Sequence, residues 1–302
     1  MPLRLITQSP HPAWARHGAL TQVEEEWTDF MAAWCGAGQA RPTILLGEAG
    51  EILAHHGGLQ LRSVFQPIYT AATLAPVAFE ALVRAQTLND AQTMRPDLLF
   101  ATVTTEAEGV LLDRLCRLLH VLNFERQSPG SAALYLNLSA NHLQALHHGQ
   151  HGEFLTAMHA LCSVETTRII LEITEAQFDD RDKLSGIVSA FKERGYRVAI
   201  DDFGARHSNF DRLWALTPDI VKIDRELLLQ ADSNPRVRRV LPKVVEIIHD
   251  LDATVVCEGI ETLAQHELAM RSGVDLVQGF LFAQPDRMLN QNHQHLPLKL
   301  AE

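Results

Sequence analysis

The chain has 302 residues, with 26 Lys and Arg against 37 Asp and Glu for a formal charge of −11, and it is 46% hydrophobic and 21% charged. That balance belongs to a globular protein with a substantial core rather than a disordered one, and the acidity argues against non-specific binding to a nucleic-acid polymer. No apolar run approaches the ~20 residues that cross a bilayer, and the amino terminus lacks the basic start and apolar core of a secretory signal. A cytoplasmic chain without membrane insertion is therefore expected. Cys35, Cys116, Cys162 and Cys257 form no CxxC pair, which disfavours a zinc knuckle or a redox couple; Cys162 and Cys257 lie in apolar runs and read as small core residues.

In chain order, residues 1–59 read as an amino-terminal extension with one helix, roughly Gln22 to Trp34, whose Val23, Trp27, Phe30, Met31 and Trp34 recur at helical spacing. This helix either docks on the main domain or presents a face to a regulatory partner. From residue 60 to 290, short runs of Val, Ile and Leu alternate with amphipathic stretches, the rhythm of βα units. Strands are expected at Val64–Tyr69, Val77–Arg84, Leu134–Leu138, Arg168–Thr174, Arg197–Asp202, Asp219–Asp224, Thr254–Glu258 and Asp275–Gly279. Helical patterns fall between them at Leu111 to Leu122, Leu184 to Phe191 (closed by Gly195) and Val240 to Ile248, where Pro242 is placed near the first turn. The first two strands are too close for a crossover helix and should pair antiparallel. Residues 291–302 form a tail. Eight strands with mostly helical connections predict an α/β fold, a modified TIM (β/α)8 barrel whose first strand is antiparallel; an open doubly wound sheet is second, weakened by the lack of a Gly-rich phosphate loop.

Strand after strand carries a polar residue at or near its carboxyl end, where such barrels place their active sites: Glu80, Asn137, Glu172, Asp201 with Asp202, Lys222, Glu258 and Gln278. Any one alone reads as a solvated loop residue or helix cap. Together, five carboxylates around one barrel mouth would cost several kcal/mol apiece to bury without neutralisation. Hard cations are the remedy, because the donors are all oxygen and such ligands select Mg²⁺ or Mn²⁺ over Zn²⁺. The adjacent Asp201 and Asp202 suggest a carboxylate bridging two ions, and Lys222 an orienter of an attacking water or a stabiliser of phosphate charge. The pattern points to hydrolysis of a phosphoryl ester. None of the 15 histidines is needed, and His142, His147, His148 and His151 read as a solvated helix end.

At these residues the chain resembles the EAL-domain family of cyclic di-GMP phosphodiesterases, named for the triplet found here as Glu80-Ala81-Leu82. The likeness runs from about Leu61 to Asp286 through ordered motifs: Phe65-Gln66-Pro67-Ile68, Glu80-Ala81-Leu82-Val83-Arg84, Asn137-Leu138-Ser139, Glu172-Ile173-Thr174-Glu175, Asp201-Asp202-Phe203-Gly204, Lys222-Ile223-Asp224, Glu258-Gly259-Ile260-Glu261-Thr262 and Gln278-Gly279-Phe280. The resemblance implies two divalent ions, Mg²⁺ or Mn²⁺, with Ca²⁺ inhibitory. Glu80, Asn137, Glu172 and Asp201 would hold one, and Asp201, Asp202 and Glu258 the other. Lys222 would contact the attacking water and Gln278 support it. Gln66, Leu82 and Arg84 would contact substrate, with Glu261 in support, and Glu175 would anchor the loop after Asp202. It also implies a homodimer and opening of cyclic di-GMP to linear pGpG.

One departure stands out. Where the family continues after Asp201-Asp202-Phe203-Gly204 with a small residue, Gly, an aromatic and Ser, this chain reads Ala205-Arg206-His207-Ser208. Arg in place of a glycine with φ > 0 adds roughly 1 kcal/mol or more of local strain, so metal binding with reduced or regulated turnover is expected. The alternative to an enzyme is a receptor that binds cyclic di-GMP without hydrolysing it, and the complete acidic set favours the enzyme.

Overall fold

A computed structural model describes residues 20–36, 38–127, 130–139, 143, 153–174, 181–205 and 210–289. The expected amino-terminal helix is present as α1 (Leu20–Ala32). Two strands follow that the sequence reading passed over, β1 (Thr43–Leu46) and β2 (Ile52–His56); each is too short to display alternation, and β2 ends in two histidines. β1 pairs with β2 and β2 with β3 (Leu59–Thr70), so the extension adds to the main sheet.

The barrel starts with β3 and β4 (Pro76–Thr87), an antiparallel hairpin registered from Leu59↔Thr87 to Tyr69↔Pro76, as the short connection predicts. The two-residue strand β5 (Thr93–Met94) extends its outer edge. Beyond β4 the parallel strands β6 (Ala133–Leu138), β7 (Ile169–Thr174), β8 (Arg197–Phe203), β9 (Ile220–Ile223), β10 (Thr254–Cys257) and β11 (Leu276–Val277) follow in order. β11 returns antiparallel to β3 and closes the eight-stranded barrel. All eight expected strands exist, but β3 and β4 run longer than expected. Glu80 is thus in the middle of β4 rather than near its end, because the hairpin continues above the mouth.

Helices α2 (Pro96–Ala101), α3 (Glu106–Arg126), α4 (Glu153–Leu161), α5 (Arg181–Glu193), α6 (Phe210–Leu216), α7 (Arg225–Ser233), α8 (Pro235–His249) and α9 (Leu263–Ser272) fill the connections. Local chemistry sets their starts: Thr105 accepts from Glu108 N, Asp224 from Glu226 N, and Thr262 forms a capping box with Gln265. Asn234 caps α8 with Pro235 in its first turn, so Pro242 falls inside the helix, not near its start. The start signal is the pair Asn234-Pro235, ahead of the apolar pattern, which begins only at Val240.

The extension docks on α3. Trp27 and Met31 are buried, Trp34 meets Phe154 edge-on at 5.3 Å, and the Arg114 guanidinium lies 5.0 Å from the Trp34 ring centre. Asn123 of α3 accepts from Ile52 N and donates to Ile52 O, both at 2.8 Å, fixing β2 to the barrel. This cover helps to bury Arg114, whereas Asp113, Arg117 and His120 face the barrel, where Asp113 accepts from Ser139 N at 3.1 Å and His120 bonds Ser63 at 2.8 Å; an outer helix would normally expose such residues.

Candidate active site

Inside the barrel, Ile68, Ala78, Tyr135, Ile170, Ala199, Ile220 and Val256 form a separate apolar cluster with Leu276 packed against it, one residue from each strand. Side chains of a strand alternate between faces, so the residue two positions nearer the mouth points inward again. Read that way around the ring, those residues are Gln66, Glu80, Asn137, Glu172, Asp201, Lys222, Glu258 and Gln278. Glu258 and Gln278 lie one residue beyond their strands and are held by backbone bonds from Glu258 N to Ile223 O and from Gln278 N to Cys257 O. The polar residues recognised one by one in the sequence thus compose a single layer seated on an apolar one.

Four carboxylates of this layer close on one ammonium. Lys222 Nζ is 2.6 Å from Glu258 Oε1, 3.4 Å from Asp201 Oδ1 and 3.5 Å from Glu80 Oε2, and it also touches Glu172 Oε1. Gln278 Nε2 donates to Glu80 Oε2 at 2.8 Å, and Asn137 Nδ2 to Glu80 Oε1 at 3.5 Å. Lys222 is 1% exposed and Glu172 fully buried at its side chain. Burial lifts the Glu172 and Glu258 carboxyls well above the ordinary range; Lys222 opposes the rise and the other carboxylates add to it. Burial disfavours the Lys222 charge, yet the surrounding carboxylates, led by Asp201, hold its pKa well above the usual lysine value.

At Asp201-Asp202 the pairing of β8 with β9 slips between Ile200 and Phe203, and Asp202 adopts φ 57°. Bulges re-aim side chains, and left-handed backbone at a non-glycine residue stores strain where function requires it. Asp202 N donates to Asp201 Oδ1 at 2.9 Å. Burial, then the Asp201 and Asp224 charges, push the Asp202 carboxyl up to about 6. Asp202 makes no ion pair with Lys222 within the layer, although Lys222 tempers its shift. The following turn needs glycine: Gly204 has φ +99° and a Cβ there would meet Leu227 at 2.6 Å.

Two cavities flank the carboxylates, sharing Glu80. One, of about 430 Å³, runs between β4, α2 and α3 and is lined by Leu82, Phe100, Asp113, Arg117, Asn137 and Ser139, among others. The other, of about 200 Å³, is lined by Gln66, Arg225, Glu258, Glu261, Gln278 and Phe280, among others. Gly279 is obligatory beside it, since a Cβ would meet Ile260 O at 2.1 Å.

The structure thus brings together Glu80, Asn137, Glu172, Asp201, Lys222, Glu258 and Gln278, with Gln66 in the adjoining cavity, donating to Ala283 O at 3.3 Å. Leu82 and Arg84 lie further along the hairpin. Glu261 stands at the rim, where its carboxylate pairs with Arg225 at 2.9 Å. Glu175, Arg206 and the group His142, His147, His148 and His151 lie outside the described residues. Sequence reasoning missed Asp113, Arg117 and Arg225 as lining residues; the first two sit in an amphipathic helix, where nothing local distinguishes them from surface charges.

Whether the layer suits metal ions follows from its chemistry. Among the described residues, no three acidic, His or Cys side chains form a ready-made metal cage; the cation on which the acids close is Lys222. One ammonium leaves the other charges of four carboxylates uncompensated, the donors are all oxygen, and Glu172 Oε2 is buried without a hydrogen-bond donor. A hard divalent cation fits that donor set.

An α/β barrel with an acidic oxygen layer at the carboxyl ends of its strands defines the class. The profile of the EAL domain matches residues 53–285, more than half of the chain, and the chain belongs to that family. It is 33% identical over 136 residues to the Escherichia coli (strain K12) protein named probable cyclic di-GMP phosphodiesterase PdeB, which is 44% of this chain and 26% of PdeB. Against the Bacillus subtilis (strain 168) EAL-domain containing protein YkuI it is 28% identical over 222 residues, 73% of this chain and 54% of YkuI. The structure of YkuI with cyclic di-GMP and calcium aligns with a TM-score of 0.67 at 26% identity, covering 76% of this chain and 57% of that one. A manganese and cyclic di-GMP complex of Klebsiella pneumoniae BlrP1 aligns with a TM-score of 0.65 at 26% identity over 75% of this chain and 56% of that one. The chain thus spans about half or less of the length of these curated relatives. Among the described residues, no helix is long and apolar enough to cross a membrane.

Proposed function

We propose that this chain hydrolyses cyclic di-GMP to linear pGpG in a reaction that requires Mg²⁺ or Mn²⁺. The observation that carries the reading is the set of four carboxylates, three on strands and Glu258 one residue past its strand, converging on a single buried ammonium. Such an excess of buried negative charge has no value to stability; it makes sense as a seat for cations. Glu80, Asn137, Glu172 and Asp201 would hold one ion, and Asp201, Asp202 and Glu258 a second. Divalent ions held by these residues would supply a water nucleophile of low pKa and neutralise charge on the phosphate.

The protein's own side chains do the rest. Lys222, held by the carboxylates, orients the attacking water and offers a proton donor to the phosphate oxygens. Gln278, fixed by its bond to Glu80, supports that water. Arg84 holds a phosphate, while Gln66 and Leu82 line the bed of the substrate. Water adds to phosphorus in line with the departing 3′ oxygen; one P–O bond forms, one breaks, and the 3′ oxygen leaves as a hydroxyl with a 5′-phosphate on the product. A homodimer and a regulatory partner for the amino-terminal extension complete the proposal, in a cytoplasmic setting.

The receptor alternative draws on Arg206, which departs from the family pattern beside Asp202. Incubation with cyclic di-GMP in Mg²⁺ or Mn²⁺, followed by separation of nucleotides, distinguishes the two. The enzyme yields pGpG, and in Ca²⁺ it binds the cyclic dinucleotide without turnover. Binding in Ca²⁺ with no product in Mg²⁺ or Mn²⁺ would establish the receptor.

A further inference from the structure

The β3–β4 hairpin rises beyond the carboxylate layer, and its two faces differ. Leu61, Ser63, Phe65, Ala81, Val83 and Ala85 point to the helices and are buried. The other face continues outward from Gln66↔Glu80 through Val64↔Leu82 and Arg62↔Arg84 to Gln60↔Gln86. Arg62 and Arg84 are therefore direct cross-strand neighbours, both half-buried, on the face that carries Glu80.

Opposite positions on two strands set these side chains side by side on one face, and a half-buried cation needs a counter-charge more than an exposed one. Neither guanidinium makes an ion pair among the described residues. Arg62 Nη2 donates to Gln60 Oε1 at 2.8 Å and Arg84 Nη1 to Val83 O at 2.9 Å, both neutral acceptors. Arg287 adds a third positive charge near Arg62, and the nearby Glu51 lies 3.9 Å from Arg287. Burial lowers the pKa of both hairpin arginines; Glu51 partly offsets this for Arg62 and Glu80 for Arg84. The rung is thus short of negative charge, whereas the layer beneath it has too much.

We infer that Arg62, which lies outside every family motif named above, is a second phosphate-binding residue of this site, joining Arg84 in a two-guanidinium rung that holds the phosphodiester not being cleaved. The inference rests on the proposed cyclic di-GMP reaction and adds to it. A cyclic dinucleotide carries two phosphodiesters; with one over the carboxylate layer, the ring extends along the hairpin towards the rung. The planar fork of each arginine matches phosphate oxygens, and an anion there offsets the positive charge that Arg287 adds at Arg62. Because this phosphate does not react, Arg62 contributes to binding and not to the chemical step.

The test compares wild type, Arg62→Ala and Arg62→Lys, with Arg239→Ala as an exposed control on α8. Four quantities are read: Kd for cyclic di-GMP in Ca²⁺, kcat and KM in Mg²⁺, and the melting midpoint without ligand. Arg62→Ala should raise Kd and KM about tenfold, the scale of a charge-assisted hydrogen bond, with kcat within about twofold. Arg62→Lys should recover part of the loss, and the unliganded midpoint of Arg62→Ala should hold or rise as its repulsion with Arg287 is removed. Unchanged Kd and KM in Arg62→Ala would overturn the inference alone, as would a fall in its midpoint with kcat and KM lost together, which marks a structural role. A wild type that neither binds nor cleaves cyclic di-GMP would overturn the functional proposal and this inference with it. A wild type that binds without cleaving leaves Kd as the deciding readout, and a tenfold rise there supports the rung.

Discussion

The two layers inside the barrel come from the same eight strands, two residues apart, and have opposite chemistry. The lower one, Ile68, Ala78, Tyr135, Ile170, Ala199, Ile220 and Val256 with Leu276, is apolar and buried. The upper one carries Gln66, Glu80, Asn137, Glu172, Asp201, Lys222, Glu258 and Gln278. The contrast separates the two demands on the fold. Burial of the lower layer stabilises the barrel and fixes where each strand emerges, whereas the upper layer crowds carboxylates that repel one another, and it holds its geometry because the layer below leaves the backbone little freedom.

Substitution in each layer should break a different property. Asp201→Ala, like Glu80→Ala, should lower pGpG formation by about 10²–10³-fold or more, the scale lost with a centre of charge stabilisation. In chelator its melting midpoint should be no lower than wild type, because one repelling charge is gone; nucleotide separation and a thermal melt read both. Lys222→Ala should slow kcat to a comparable degree with Kd for cyclic di-GMP in Ca²⁺ largely intact, and equal loss of binding would contradict its assigned role. Without its ammonium, the metal-free protein should also lose stability, by about 3–5 kcal/mol for a broken buried pair, and regain it in Mg²⁺. Ile170→Ala, in the lower layer, should instead cost about 2–4 kcal/mol in denaturant melts, while the folded protein still turns over substrate.

Smaller effects sharpen the comparison outside the layers. His120 is buried and hydrogen-bonded to Ser63 at 2.8 Å; burial, aided by Arg117 and Arg84, pulls its pKa down to about 3. Its unfolded counterpart titrates near 6.5. The neutral buried ring therefore contributes stability that is complete above about 6.5 and lost as pH falls from there towards 3, by up to ~1.4 kcal/mol per pH unit. His120→Gln should flatten that part of the stability profile. Arg206→Gly should raise turnover a few-fold with metal affinity unchanged, and identical rates in the two proteins would remove any restraint attributed to Arg206.

The layers were legible in the sequence to very different degrees. Each upper-layer residue stands out as a polar interruption of a β run, so the ring was readable residue by residue, and the antiparallel hairpin followed from a connection too short for a helix. What could not be read depends on contacts between distant segments. β1 and β2 are strands because β3 offers β2 an edge and β2 offers β1 one; Asp113, Arg117 and His120 are interior because their face of α3 packs on the barrel, against Ser63 and Ser139. The Arg62↔Arg84 rung exists only in the hairpin register, which places residues 22 apart side by side. Pro242 was misplaced for a local reason: the capping Asn234 lies ahead of the apolar pattern that marks the helix.

Divalent-ion binding tests the central claim most directly. Mn²⁺ should be titrated into the chelator-treated full chain with cyclic di-GMP present, with bound ion counted per chain in wild type and Asp201→Ala and product followed in the same samples. The account predicts two ions per wild-type chain, product only once they are bound, and loss of both ions and product in Asp201→Ala. Product formation in chelator, or ions bound equally by the two proteins, would contradict it.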